Sequence, residues 1–482
     1  MTRFFVFLIL ALLSIQIFPQ SPSASISPSL VIKNVTVIDM TGAPPKEAMT
    51  VVIKGGRITQ LGKSSKTKIP ANAQFVDGTG KFLIPAFWDM HVHFFDAERT
   101  LPLFVANGVL GVRELGGPID EVLRWRAEAA AGKIVSPRII TAGRILDGDP
   151  PSSRPEYTDV VKTPEEGRKA VRSLKAHGVD LIKVYDALSR QTYFAIADEA
   201  KKLGLPLVGH TPTSITTIEA TDAGQKSIEH LGKILEDSSG SPQRIREAQS
   251  ETIPKDDFFA FTTRIGHTYD AIVATYSEKK ADEIFAHFRR KKTWQVPTLV
   301  VKYGRTFIDD LDTKGDPRAK YLPKADVEYW KPNVGFFSRY RSPSYIRAQF
   351  AYFQKELDLV GIMNHSGVGI LAGTDCMAAY VIPGFSLHDE LALYVQAGLT
   401  PMQALQTGTR NPAEYLGQLR QRGTIEKGKI ADLILLNADP LDDIRNTTRI
   451  NSVVQGGRFI PRSKLDQMLA EVESLAKKKT SD

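Results

Sequence analysis

The chain has 482 residues, 42% of them hydrophobic and 24% charged, which excludes a disordered or fibrous protein and exceeds one ordinary compact domain. Its single cysteine, Cys376, excludes an intrachain disulfide and a cysteine-based metal cluster, so a bound metal would need His, carboxylate or other oxygen ligands. The net charge of +8 is a small surplus of 62 basic over 54 acidic residues, interspersed along the chain, and does not mark a nucleic-acid partner.

Residues 1–24 join a basic start at Arg3 to the apolar run Phe4–Leu13 and then to small polar residues and prolines ending at Ala24. This is the layout of a secretory signal peptide, and the run is short for a membrane span. Export to the periplasm or the medium is expected, with no stable membrane anchoring after cleavage; the alternative is an uncleaved anchor. Residues 30–84 are strand-like, with Val31-Ile32, Val35, Val37-Ile38, Val51-Val52-Ile53 and Ile58 between turn signals at Thr41-Gly42 and Gly55-Gly56.

From 85 to 420, short apolar runs alternate with helical patterns such as Pro164–His177 and Arg190–Leu203. The runs are Phe82–Trp88, Gly108–Arg113, Arg138–Ile140, Leu181–Tyr185, Leu205–Val208, Ser227-Ile228, Val296–Val301 and Val368–Leu371. Eight such units predict an α/β fold with parallel strands, closed as a TIM (β/α)8 barrel. Long intervals follow the sixth and seventh runs. Within the second, Tyr303–Pro343, with Tyr329, Trp330, Phe336, Phe337 and Tyr340, is a candidate lid or a structural insertion. Residues 421–462 return to strand-like sequence. Each terminal stretch is too short alone, so the two together predict a small β-sandwich domain built from both chain ends. Residues 463–482 read as a polar helix ending in Lys477-Lys478-Lys479, a solvated tail.

Ligand-type residues sit at the C-terminal ends of the runs. His91 and His93 end the first, and in a strand residues i and i+2 face the same side. Lys183 and Tyr185 share one face of the fourth. His210 ends the fifth, His230 the sixth and Asp375 the eighth. A lone histidine at a strand end is commonly structural. Six such residues on one barrel rim, the rim where barrel enzymes keep their sites, point instead to a metal site.

Asp89-Met90-His91-Val92-His93, Gly111–Gly117, Ile228-Glu229-His230-Leu231, Leu371–Asp375 and Gly384–Leu391 resemble motifs of the amidohydrolase superfamily, in the branch grouped with imidazolonepropionases and prolidase-like enzymes. Val37-Ile38-Asp39 and Gly423–Leu433 are similar to the two parts of that family's β domain. Ala86 stands where the family usually has Gly. The resemblance covers about residues 30–460. It implies a distorted barrel holding two divalent metal ions, with zinc expected. His91, His93 and Asp375 would hold the more buried ion, and His210 and His230 the second. Lys183 would react with carbon dioxide to give a carbamate bridging both. A metal-bridging hydroxide would then attack a carbonyl, with Asp375 moving the proton to the leaving nitrogen.

The expected function is hydrolysis of a carbon–nitrogen bond in an amide, cyclic amide or peptide-like small molecule. Ester, lactone or phosphotriester hydrolysis at the same site is the alternative, and a non-catalytic small-molecule binder the second. Tyr185 is either an oxyanion donor or a core residue. Candidate substrate contacts are His388, in a capping-box pattern Ser386–Asp389, and, for a carboxylate, Arg144 or Arg154, either of which is otherwise a solvated loop charge. Assembly into a homo-oligomer stays open.

Overall fold

The computed structural model describes residues 29–250, 257–328, 330 and 340–478. The expected leader at 1–24 lies outside these residues, as do Tyr329, Phe336 and Phe337 of the candidate lid and Lys479 of the tail.

The strands are β1 (Leu30–Val37), β2 (Lys46–Lys54), β3 (Arg57–Lys63), β4 (Gln74–Asp77), β5 (Phe82–Pro85), β6 (Phe87–Val92), β7 (Val109–Glu114), β8 (Arg138–Thr141), β9 (Ile145–Asp147), β10 (Thr158–Val160), β11 (Ile182–Val184), β12 (Leu207–Gly209), β13 (Gln225–Glu229), β14 (Trp294–Val296), β15 (Leu433–Leu436), β16 (Ile450–Gln455) and β17 (Arg458–Pro461). The two chain ends meet where β5 and β15 pair antiparallel, Leu83 opposite Leu435. They form one sheet in the order β17-β16-β15-β5-β1-β2-β3, with β4 parallel to β1. The expected sandwich is therefore a single hydrogen-bonded sheet. Its two halves share β1, whose residues 30–33 pair with β4 and whose residues 36–37 pair with β5. A bulge at Asn34, with φ of 61°, switches the parity of the strand. Leu30 and Ile32 before it and Val35 and Val37 after it thus pack into the same core as Val51 and Leu433.

The middle of the chain forms two parallel sheets, β6-β7-β8 and β10-β9-β11-β12-β13-β14. Residues 369–372 lie between their free edges. Gln295 N donates to Gly369 O, Leu371 N to Gln295 O, and Met90 N to Ala372 O. On the other side Asp180 N donates to Thr141 O. With the intervening helices this is a (β/α)8-type arrangement beside an extra β domain. Two of the predicted strands are corrected. The eighth, Val368–Leu371, is reduced to an isolated bridge at Ile370. The seventh is Trp294–Val296, because Pro297 has no N–H to extend the ladder and Leu299 already begins a helix.

Helix Pro164–His177 starts with a Thr163/Glu166 capping box and stops at left-handed Gly178; helix Arg190–Lys202 is capped by Ser189. The expected terminal helix forms, but it is not a solvated tail. Helix Arg462–Lys478 buries Leu465, Met468, Val472 and Ala476, one stripe at helical spacing, and docks on helix Ala97–Ala106. No described helix is long and apolar enough to cross a membrane.

Candidate active site

His91 is fully buried near the end of β6, and His93 follows it into the space above the sheet. Asp375 arrives from the segment after Ile370. Its backbone N donates to His91 O at 2.7 Å, and the preceding Thr374 is clasped by the buried Asp89, which accepts from its N at 2.9 Å and its Oγ1 at 2.7 Å. These bonds set Asp375 Oδ1 3.4 Å from His91 Nε2 and 3.3 Å from His93 Nε2. One ligand atom from each of the three lies within 4.8 Å of the others.

The histidine rings run on from there. Centroid separations are 5.4 Å from His93 to His91, 4.6 Å from His91 to His230 and 4.8 Å from His230 to His210. Each ring has an acceptor at Nδ1. For His91 it is Glu229 at 2.9 Å, for His93 the Gly116 carbonyl at 2.8 Å, for His210 Asp186 at 3.2 Å, and for His230 Thr298 Oγ1 at 2.7 Å. An Nδ1–H engaged in this way fixes the tautomer in which Nε2 carries the lone pair. Nε2 of His91 and of His210 is buried with no hydrogen-bond partner among the described residues. A buried orphan of this kind fits a ligand atom for a cation. His230, Thr298 and Asp375 also have φ of 61°, 48° and 56°. Non-glycine residues held in the left-handed region store strain, and such strain collects at functional sites.

Two further charges stabilise the deep side. Glu229 sits under His91, and Arg113 donates to both its oxygens, at 2.9 and 3.0 Å. The rest of the guanidinium bonds Met90 O, Ser227 Oγ and Tyr415 OH, so every donor edge of this buried group is used. Burial pushes the Glu229 carboxyl up, but Arg113 and the bond from His91 outweigh it and hold it near 2. Burial, helped by Lys183, drives the His91 imidazole down to about 3, so it is neutral. Sequence reasoning gave Glu229 and Arg113 no role. The available signal was a lone Arg and a lone Glu inside otherwise apolar strands, at positions whose parity points them inward.

Lys183 is 1% exposed on β11, and its Nζ makes no hydrogen bond or ion pair among the described residues. Tyr185 stacks on His210 with centroids 3.8 Å apart. A cavity of about 350 Å3 opens beside His93 and Asp375, lined also by Phe95, Ile145, Arg154, Tyr185 and Arg305. Two predicted substrate contacts are absent from it. His388 is buried elsewhere, between Thr447 Oγ1 at 2.9 Å and the Asn107 carbonyl at 3.2 Å, edge-on to Phe87. The expected capping box does not form, because Ser386 Oγ accepts from Ile382 N, upstream. Arg144 is consumed by its own loop, donating to Asp159 and to the carbonyls of Glu156 and Thr158. Cys376 is buried against the His93 carbonyl.

A (β/α)8-type scaffold whose strand ends gather four histidines, a lysine and an aspartate defines an α/β protein with a candidate metal centre. The chain belongs to the amidohydrolase family, which matches residues 82–460. It is 23% identical over 412 residues to the imidazolonepropionase of Agrobacterium fabrum, covering 82% of this chain and 86% of that one. Two other matches are local, spanning less than two thirds of the relatives' length. The N-acetylglucosamine-6-phosphate deacetylase of Lysinibacillus sphaericus is 43% identical over 68 residues, 14% of this chain and 16% of its own. The adenine deaminase of Rubrobacter xylanophilus is 28% identical over 92 residues, 19% of this chain and 15% of its own. Among solved structures, a putative prolidase from Bifidobacterium longum superposes with a TM-score of 0.64 at 24% identity, covering 93% of this chain and 99% of that one. A bottromycin amidohydrolase does so with 0.71 at 21% identity, covering 93% and 90%. At these identities the two structures show a shared fold.

Proposed function

We propose that this protein is a metal-dependent hydrolase that cleaves a carbon–nitrogen bond of the amide type. The observation that carries the reading is the set of four histidines, each bound to an acceptor at Nδ1, packed ring to ring beside Asp375 and Lys183. The names of the relatives, imidazolonepropionase and prolidase among them, agree with carbon–nitrogen chemistry. His91, His93 and Asp375 would hold one divalent ion, and His210 and His230 a second. An all-nitrogen-and-oxygen donor set of this kind suits zinc. When bound, such ions supply Lewis-acid polarisation of the scissile carbonyl and a water acidic enough to attack at neutral pH.

Lys183, in carbamate form, would supply an anionic oxygen donor to the ions. A buried, unpaired ammonium is costly, and burial lowers this amine to about 8, so a share of it is neutral near physiological pH. The neutral amine forms an N–C bond to carbon dioxide and loses a proton, replacing a cation with an anionic oxygen donor.

Asp375 is placed to move the proton. Burial opposes its ionisation, but the hydrogen bond from His93 helps outweigh this and hold the carboxyl well below the usual range. It takes a proton from the attacking water and returns it to the leaving nitrogen, so that amide plus water gives carboxylic acid plus amine. Tyr185, kept protonated by burial, can donate to the oxygen on which charge develops. The reading includes export, which rests on the sequence of residues 1–24. The direct test is Asp375→Asn. It should bind metal yet lose roughly 10²–10⁴ of its amide hydrolysis; normal hydrolysis by the metal-loaded variant would end the proposal.

A further inference from the structure

Helix Leu299–Thr306 starts at Thr298, a residue type whose hydroxyl, at the N-cap, ordinarily accepts from a backbone N–H of the first turn. Here it makes no such bond. The hydroxyl is turned instead to His230 Nδ1 at 2.7 Å, and Thr298 is held with φ of 48°. A β-branched residue in the left-handed region persists only where its surroundings over-determine it. Diverting the hydroxyl also leaves the first N–H groups of the helix without their usual partner, in a place where Thr298, Leu299 and Val300 are all buried.

The missing cap comes from another helix. Glu390, on helix Ser386–Gln396, accepts from Leu299 N at 2.9 Å through one oxygen and from Val300 N at 2.7 Å through the other. It is fully buried and makes no ion pair among the described residues. Its segment, Gly384–Leu391, is one the sequence singles out, and His388 within it faces away from the centre, toward Thr447 and Asn107. Residues two apart on a helix point about 200° apart, so Glu390 faces the opposite side, onto the start of the neighbouring helix. At the other end of the same short stretch, His230 N donates to Val296 O at 2.8 Å. Residues 296–300 are thus tied to the end of β13 on one side and to Glu390 on the other.

We infer that Glu390 is a positioning residue for the candidate metal centre: by capping the helix in place of Thr298, it leaves the Thr298 hydroxyl to hold His230. It acts through Thr298 and touches neither His230 nor the cavity. Without it the hydroxyl has two claimants, the bare amides and His230, and the ring loses its fixed partner at Nδ1. The consequence for metal rests on the hydrolase reading, in which His210 and His230 hold the second ion.

The test titrates zinc into the full chain in competition with a chelator, reading the affinity of each ion. It also records 15N spectra of histidine-labelled protein before zinc is added, with the His230 signals assigned from His230→Asn. Glu390→Gln keeps the side-chain size but leaves one accepting oxygen for two amides; Glu390→Asp, which withdraws the carboxylate, takes its place should Glu390→Gln not fold. Either should weaken the second ion about 10–100-fold, the usual effect of losing an outer partner of a metal ligand, with the first ion held as in the wild type. Thr298→Val should do the same and Thr298→Ser should not. Adding the Glu390 change to Thr298→Val should cost no more than about twofold further, whereas independent effects would multiply. His230 should show one tautomer, protonated at Nδ1, in the wild type and a mixture in the Glu390 variant. An unchanged second ion in the Glu390 variant, a loss shared equally by both ions, or a fully multiplicative double variant overturns the inference and leaves the hydrolase reading intact. A wild type that takes up no zinc ends the hydrolase reading, and the spectra then decide: a single His230 tautomer lost in the Glu390 variant upholds the positioning role, and a tautomer indifferent to Glu390 removes it.

Discussion

Glu229 Oε2 accepts from His91 Nδ1 at 2.9 Å, and the same carboxylate is gripped through both oxygens by Arg113. All three side chains are fully buried. The chain Arg113–Glu229–His91 fixes the ring orientation and the tautomer of a histidine whose Nε2 meets Asp375. Glu229 and Arg113 are thus positioning residues, acting on the centre through His91.

Removing one partner leaves the other buried and uncompensated. Glu229→Gln should cost roughly 3–5 kcal/mol of stability in denaturant unfolding. The double variant Arg113→Met, Glu229→Leu should regain much of that loss, since a buried ion pair is replaced by apolar bulk. Metal affinity should behave differently, falling about 10–100-fold in both variants, because Gln leaves only a neutral amide oxygen at Nδ1 and Leu leaves no acceptor there. A double variant that regains stability and wild-type metal affinity together would remove the positioning role.

Lys183 offers a second check. In native mass spectrometry the wild type prepared with bicarbonate and metal should carry the mass of one bound carbon dioxide, and Lys183→Met should not. Lys183→Met should hold fewer metal ions and hydrolyse amides at least about 10²-fold more slowly, having lost an anionic ligand from the centre. An unmodified lysine in a fully loaded, active protein would refute the carbamate.

His388 provides a pH signature remote from the centre. Burial lowers its imidazole from 6.5 unfolded to about 4 folded. Between those values the unfolded chain binds the proton and the folded one does not, so stability is complete above pH 6.5 and is lost as pH falls toward 4. The loss is on the order of 3 kcal/mol, from ~1.4 kcal/mol per unit. His388→Gln should flatten this part of the stability–pH curve; an unchanged slope would place the proton elsewhere.

The C-terminal helix makes a structural prediction. Leu465 is fully buried in the main core. Leu465→Ala should therefore destabilise by about 2–5 kcal/mol in thermal or chemical unfolding, whereas a solvated tail would tolerate it without effect.

The rim residues were legible because strand alternation is a strong geometric rule. His91, His93, His210, His230 and Asp375 end apolar runs and Lys183 lies within one, and the structure brings these segments together. What supports them was harder to see. Glu229 and Arg113 lie on different strands, and their pairing exists only once β7 and β13 face one barrel interior. Arg144 and Arg154 looked alike in sequence. The difference is that the fold turns Asp159 and two carbonyls onto Arg144 and leaves Arg154 beside Phe95. The Ser386–Asp389 pattern misled because Ser386 caps an upstream amide, while the buried stripe Leu465, Met468, Val472 was readable and was outweighed by the terminal lysines.

The measurement that bears most directly on the central claim is metal content by elemental analysis, run alongside amide hydrolysis with and without a chelator. Two divalent ions per chain are predicted for the wild type. Occupancy should drop in His91→Ala and in His210→Ala, and activity should vanish on chelation and return when metal is restored. A chain that binds no divalent ion at saturating supply, or that hydrolyses amides equally well after complete metal removal, would contradict the account.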